Sequence, residues 1–399
     1  MNGWHNVKAE DFIDFNPREH LPQGTTAKKV SMEKLQPFSR SIASYNIASF
    51  SGGTKFRNGD TIMARITPCL ENGKTAQVNC LEENEVGFGS TEFIVMRAKP
   101  SVSDRDFIYY LATSPFFRNI AIQSMIGSSG RQRVQQSVLN ATELFVPPLS
   151  EQIEIGRTLR SLDDKIENNT KINHHLEQMA QAIFKSWFVD FEPFGGTMPS
   201  DWRNGTLSGI APNIYSGGTP NTSKKSYWNG EIPWLSSGET RNHFIISTEK
   251  QITQNGVNNS STKLAHRFDV VMASAGQGLT RGQTSLLFFD SYINQSVIVM
   301  HGNSPFYLFL NLLTRYEELR AISDSSSIRG SITTKMLAQF PMLLPSPNAL
   351  ADFSNTIKPL FGQIENNLRE NARLAELRDT LLPRLMFGEL SVAELDNGK

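Results

Sequence analysis

Few residues in this chain have the types and spacing needed for bond-making chemistry. Gly73-Lys74-Thr75 has the tail of a phosphate-binding loop, but the glycine required five positions earlier is Pro68, so the nest of backbone amides is not encoded. There is no His-Glu-x-x-His pair, no Cys and His cluster with zinc spacing, and no carboxylate-carboxylate-lysine nuclease set. Cys69 and Cys80 could pair only with each other and read as small structural residues. The Asn-Pro-Pro-Tyr or Asp-Pro-Pro-Tyr signature of an amino-group methyltransferase is missing too. What remains is hydrogen-bonding chemistry. In Ser128-Ser129-Gly130-Arg131-Gln132-Arg133 small residues permit close backbone approach and three donors follow. Arg can bridge both major-groove acceptors of guanine, Gln can pair with adenine, and Ser can do either.

A related stretch, Ser326-Ser327-Ile328-Arg329, lies 198 residues later. The retained Ser-Ser-x-Arg suggests a shared phosphate-positioning role, whereas Gln132 and Arg133 have no equivalent there and could read bases. Further polar candidates are Lys55, Arg57, Arg65 and Lys74 in the first half, and Thr219, Lys224, Lys225, Arg241, Gln277 and Arg281 in the second. In each case the plain alternative is a solvated side chain or a clamp within the fold.

The elements that must position these residues are duplicated. Ile166-Glu167-Asn168-Asn169, with Asn173 and Leu176, recurs as Ile364-Glu365-Asn366-Asn367, with Asn371 and Leu374, again at an offset of 198. In the first block Ile155, Leu159, Leu162, Ile166, Asn169, Asn173, Leu176, Ala180, Ile183 and Trp187 follow the 4,3 spacing of a heptad seam. Phe353, Ile357, Leu360, Ile364, Asn367, Asn371, Leu374 and Leu381 follow it in the second. Ser150 and Asn348 are expected N-caps, and each helix should span about 50 to 60 Å. Such a helix cannot bury its stripe alone, and its natural partner is its duplicate, packed antiparallel. Asn169, Asn173, Asn367 and Asn371 would then fix the register by satisfying one another. His174 and His175 fall outside the seam and read as a solvated face. The aromatic run Phe184, Trp187, Phe188, Phe191 and Phe194 either anchors the second half or docks a partner.

Between the helices lie short apolar runs bounded by Gly, Asp, Ser or Asn, which predict buried strands: Thr61–Ala64, Phe93–Met96, Val270–Ala273 and Val297–Met300. Four segments follow: 1–148, a helix 149–192, 193–346 and a helix 347–399. The formal charge is zero overall, yet the two non-helical segments hold 28 Lys and Arg against 23 Asp and Glu, and the helical ones 11 against 16. A basic excess confined to one pair of segments suffices for a phosphate footprint if it lies on one face. With no basic leader and no run of 18 apolar residues, a cytoplasmic protein is expected.

Ser216-Gly217-Gly218-Thr219-Pro220, followed by Tyr227-Trp228-Asn229-Gly230, Ile232-Pro233-Trp234 and Ser236-Ser237-Gly238-Glu239, closely resembles the opening of a target recognition domain in the specificity subunit of type I restriction-modification systems. Asn294-Gln295 and the run Phe145-Val146-Pro147-Pro148-Leu149-Ser150-Glu151-Gln152 resemble that family too, as does the order of recognition domain, helix, recognition domain, helix. The first half departs from it: Ser51-Gly52-Gly53-Thr54 lies close before Asp60, whereas Ser216 lies far ahead of the corresponding Asp269.

The resemblance implies an α+β fold, with two mixed recognition domains joined by two long antiparallel coiled-coil helices in a pseudo-twofold arrangement. It implies a non-catalytic subunit whose domains each read one half of a split DNA target, with the helices as spacers. The implied partners are double-stranded DNA, two methyltransferase subunits and motor and nuclease subunits. No cofactor is expected in this chain, and S-adenosylmethionine would belong to the methyltransferase. The competing reading is a scaffold whose helices hold two protein ligands without DNA.

Overall fold

The computed structural model describes residues 3–275, 280–324 and 330–396. They form two compact units, one of residues 1–168 with 371–399 and the other of residues 169–370, so each long helix is divided between the units.

The first unit opens with strand β1 (His5–Lys8), a short helix α1 (Ala9–Phe12) and β2 (Ile13–Phe15). Strands β3 (Thr26–Val30), β4 (Asn46–Ser49), β5 (Lys55–Phe56), β6 (Thr61–Ala64), β7 (Thr75–Gln77), β8 (Gly87–Gly89) and β9 (Phe93–Ala98) follow. Helices α2 (Arg105–Thr113), α3 (Pro115–Gln123) and α4 (Gln136–Ala141) then lead to β10 (Glu143–Val146) and the long helix α5 (Leu149–Phe188). Capping sets the α2–α3 corner. Asp104 accepts from the amides of Asp106 and Phe107, and Ser114 ends α2 while capping α3, whose first residue is proline.

The second unit contains β11 (Arg203–Thr206), β12 (Asn213–Ser216), β13 (Trp228–Leu235), β14 (Phe244–Ile245), β15 (Lys250–Ile252), α6 (Gln254–Asn258), β16 (Lys263–Ala265), β17 (Val270–Ala273), β18 (Thr284–Leu287), β19 (Ser291–Ile293) and β20 (Val297–His301). Helices α7 (Pro305–Thr314), α8 (Tyr316–Asp324) and α9 (Thr334–Ala338), strand β21 (Pro341–Leu344) and the long helix α10 (Pro347–Met386) complete the series. A last helix, α11 (Val392–Asp396), belongs to the first unit.

One sheet plan serves both units. In the first, β1 pairs with β10, an antiparallel sheet has the order β2-β9-β6-β7, and another sheet has the order β4-β3-β8-β5 with β3 and β8 parallel. In the second, β11 pairs with β21, and the order β12-β20-β17-β18 is extended by β14. The remaining sheet is β15-β13-β19-β16, with β13 and β19 parallel. The four apolar runs are the strands β6, β9, β17 and β20, buried over all four expected residues because both sheet faces are covered. Met63, Ile94 and Met96 face a core with α2, Ile155 and Leu159, while Ile62, Phe93 and Val95 face Val30 and Phe56 beneath the other sheet. Likewise Val270, Met272, Ile298 and Met300 pack with Phe184, Phe188 and Phe353, and Val271, Val297 and Val299 with Leu235 and Ile293. Each unit is therefore layered as helices, a sheet that is antiparallel except for the parallel β14–β18 pair of the second unit, and a mixed sheet.

The long helices are 40 residues each. Within the second unit their segments run antiparallel: Asn169 bonds Glu370, Asn173 bonds Asn367, and Phe188 stacks edge-on against Phe353. In the first unit Asp163 accepts from Arg378 and Tyr110, and Ile155 and Leu159 share a core with Leu381 and Leu385. No seam position is exposed, whereas His174 and His175 both are. The aromatic run joins the second unit's own core, with Phe188 at 4.7 Å from Tyr307 and 5.6 Å from Trp202 between ring centroids. The expected caps need correction. Both helices start one residue ahead of the expected cap, and Ser346, with Pro347 in the first helical position, caps the second.

Candidate nucleic-acid interface

Four connections meet at one edge of the first unit: the segment 51–54 before β5, the β6–β7 connection 65–74, the β8–β9 connection 90–92, and residues 124–135 ahead of α4. Backbone hydrogen bonds lock them together. Gly89 N donates to Thr54 O at 2.8 Å, Arg65 N to Glu92 O at 2.9 Å, Val134 N to Arg65 O at 2.8 Å and Thr67 N to Gln132 O at 3.0 Å. Thr54 Oγ1 donates to Ser90 O at 2.6 Å. Arg133 exchanges both backbone bonds with Ile126, so its Cα is fixed although its side chain is exposed.

The second unit repeats the frame. Ser274 N donates to Ser296 O and Ile332 N to Ser274 O, both at 2.8 Å, matching the bonds that pass through Arg65. Thr262 Oγ1 donates to Ile293 O at 2.9 Å, as Thr54 does to Ser90. The scaffold is thus held by backbone bonds that do not depend on the side chains it carries. At its corners stand Arg65, Glu92 and Arg133 in the first unit and Ser274, Ser296 and Ser331 in the second. Two loop sets with one backbone plan and different donors can present two different hydrogen-bonding patterns.

The family model for the type I restriction modification DNA specificity domain matches residues 1–178 and 199–374, which covers both copies of this frame. The chain belongs to that specificity family. It is 26% identical to the type I restriction enzyme HindI specificity subunit of Haemophilus influenzae, over 86% of this chain and 90% of that one. To the MjaIX specificity subunit of Methanocaldococcus jannaschii it is 25% identical, over 73% and 70%. In fold it matches the crystal structure of a type I S subunit from M. genitalium with a TM-score of 0.60 at 16% identity, over 96% of each chain.

On this specificity chain the candidate residues divide into three groups. Ser128, Ser129 and Arg131 form an exposed turn closed by Arg131 N donating to Ser128 O at 3.0 Å, with Gln132 half-buried behind them. Arg133 grips Glu92 through Nε at 3.0 Å and Nη2 at 2.7 Å, and this bond holds the Glu92 carboxyl below its ordinary range. Arg65 reaches the same corner, and its Nε is buried with no partner among the described residues. Thr219 joins the equivalent edge of the second unit by bonding Gln295.

A second group serves the fold. Arg57 is bidentate to Glu19, at 2.7 and 2.9 Å, and Lys74 donates to Met32 O at 2.9 Å. Arg281 is tied to Gly330 O and Asp324, and Lys55 donates to Glu19 O at 2.6 Å above the Phe50 ring. These four are clamps rather than free donors. The third group is exposed or locally paired: Lys224 lies over Tyr227, Lys225 is exposed, and Arg241 pairs with Glu249 at 2.8 Å. Gln277, Ser326, Ser327 and Arg329 lie outside the described residues.

Of the four register asparagines, Asn367 meets Asn173, and Asn169 donates to the Glu370 carboxylate. Asn371 lies on the first unit's side of the division and is half-buried.

Two features escape sequence reasoning. Glu92 gives no signal there, since a lone carboxylate in a loop looks like solvated surface. The other is the role of the Gly-Gly-Thr segments, which stand at different points of the two halves, as their spacing from Asp60 and Asp269 predicts. Gly217 and Gly218, arriving from β12, donate to Asn294 O and Ile293 O, while Gly53 and Thr54, leading into β5, press on Gly89 and Ser90. Equivalent connections are braced by glycines from different points of the chain. A Cβ at Gly53 would collide with the carbonyl oxygen of Gly89, and one at Gly217 with that of Ile293.

Among the described residues no group of His, Cys, Asp and Glu is placed to hold a metal ion, and no helix is long and apolar enough to cross a membrane.

Proposed function

We propose that this chain is the DNA-reading subunit of a type I restriction-modification complex and carries no catalytic step itself. Segments 1–148 and 193–346 each read one half of a bipartite, asymmetric sequence through their four-connection edges, and the long helices, expected over 149–192 and 347–399 and found over Leu149–Phe188 and Pro347–Met386, set the spacer. Methyltransferase subunits, supplied with their own S-adenosylmethionine, dock on the chain in the cytoplasm and methylate adenine in the sequence it selects. Motor and nuclease subunits join where the complex also cuts.

The observation that carries this reading is the duplicated backbone frame bearing dissimilar side chains, in a chain whose family match spans both copies. A pair of readers for unlike half-sites needs that combination. Phosphate contacts from exposed Lys and Arg position such a module, and base-edge donors on fixed backbone give it specificity.

The test is genome-wide mapping of adenine methylation in cells holding the cognate methyltransferase, with and without this chain. A split motif that appears only with the chain is the expected result. No motif, with a methyltransferase active beside another specificity subunit and bound to this one, overturns the reading in favour of a protein scaffold.

A further inference from the structure

We infer that Arg133 reads a guanine in one half-site and that Glu92 is the residue that positions it; this rests on the specificity function proposed above. Three observations converge on Arg133. Its backbone is fixed by two bonds to Ile126, so the side chain starts from a set point. Its guanidinium is gripped on one edge only, through Nε and Nη2 to the Glu92 carboxylate. Its side chain is nevertheless 45% exposed.

Arg carries five donors in a rigid fork. With the Nε/Nη2 edge on Glu92, the Nη1/Nη2 edge still points two parallel N–H groups outward, and no partner for Nη1 occurs among the described residues. That edge matches the paired O6 and N7 acceptors of guanine in the major groove. Glu92 is itself held in place, its amide donating to Ser90 Oγ at 3.1 Å and its carbonyl accepting from Arg65 N at 2.9 Å. The fork is therefore oriented before DNA arrives, which lowers the entropy lost on binding.

Charge separates a base from a phosphate as the target. The Arg133–Glu92 pair is close to neutral, and its carboxylate would repel a phosphate brought to the same guanidinium. A guanine edge offers two neutral acceptors and suffers no such repulsion. Arg131, exposed two residues earlier and without a carboxylate on it among the described residues, is the better phosphate contact. Nor is the pair a stabilising device of note, because exposed ion pairs contribute little. The second unit has Ser296 and Ser331 at the matching corners, so this guanine belongs to one half-site only.

The experiment is methylation mapping with the intact complex carrying the parent chain, Arg133→Ala, Arg133→Lys or Glu92→Gln. The parent should show a G·C pair in the half-site read by the first unit. Both Arg133 variants should lose discrimination at that one pair by roughly tenfold or more, since Lys cannot fork, with every other position kept. Glu92→Gln should relax the same pair while overall methylation is maintained, because Arg133 is then free to move to phosphate. An unchanged motif with methylation lowered at all sites would make Arg133 a phosphate contact and overturn the inference. So would retention of the pair in Arg133→Lys. A parent chain that yields no split motif defeats the specificity reading instead.

Discussion

Asn367 Nδ2 donates to Asn173 Oδ1 at 2.8 Å between the two helix segments of the second unit, while Asn173 Nδ2 is buried with no partner among the described residues. The pair is therefore only half satisfied. Replacing Asn367 alone with leucine should strand the Asn173 oxygen as well and lower stability by about 1–3 kcal/mol. The double replacement of Asn173 and Asn367 with leucine removes the buried orphans, leaving only the exposed Gln363 to exchange its Asn367 acceptor for water, and should recover most of that loss. Urea unfolding midpoints of the three chains check the order. A double variant no better than the single one would show that the asparagines are kept for something other than pairing.

The first unit holds Arg97 between the carboxylates of Asp60 and Glu19, all at 2.7 Å, and Arg57 closes the group from the other side of Glu19. The carboxylate side chains are 2% and 7% exposed. Arg97→Ala leaves Asp60 without its cation and should cost about 3 kcal/mol, seen as faster amide exchange in β6 and β9. A pH signature accompanies it. The hydrogen bond from Arg57 pushes the Glu19 carboxyl below its ordinary value of 4.5. Its stabilisation is therefore complete above that value and lost as pH falls through the depressed one. The gap in urea midpoint between the parent and Glu19→Gln should be widest at neutral pH and close on acidification. A gap that widens in acid would reverse the assignment.

Much of this architecture is legible in the sequence because it repeats. The duplicated heptad seam predicts both helices, and the alignment of Thr61–Ala64 with Val270–Ala273 marks equivalent central strands, since burial on both faces demands unbroken apolar runs. The site is less legible. Arg57, Lys74 and Arg281 look like free donors in sequence, and only the approach of Glu19, Met32 O and Asp324 from distant positions turns them into clamps. Glu92 acquires meaning only when the chain brings Arg133 to it from 41 residues away. Spacing along one strand or helix carries no record of such meetings.

Gly217 tells the glycine-rich brace from a merely flexible loop. Its φ is not in the left-handed region, so the case for glycine is room: an added Cβ would meet the carbonyl oxygen of Ile293, a backbone atom that cannot swing aside. Gly217→Ala should shift the Asn294–Ser296 connection and slow or abolish methylation at the half-site read by the second unit. The first unit's half-site preference should be untouched. Gly238, with nothing within 4 Å of the added carbon, is the control, and Gly238→Ala should behave as the parent. Equal loss in both variants would deny the brace.

Arg131 and Arg57 should separate in their response to salt. Arg131 is exposed at the tip of the 128–131 turn, where only its backbone amide is committed, to Ser128 O at 3.0 Å. Arg57 spends its guanidinium on Glu19 and on Asn84 O. A side chain that neutralises a phosphate releases condensed counterions, and each phosphate so neutralised adds about 0.9 to the log-log slope of affinity against salt. Arg131→Ala should weaken binding of the assembled complex to every duplex tested, cognate or not, and flatten that slope by about one. Arg57→Ala should lower the stability of the first unit and leave the slope as it was. Filter binding or anisotropy across a salt series reads both. A flattened slope in Arg57→Ala, or none in Arg131→Ala, would mean that the DNA runs along the mixed sheet at β5 rather than across the edge where the four connections meet.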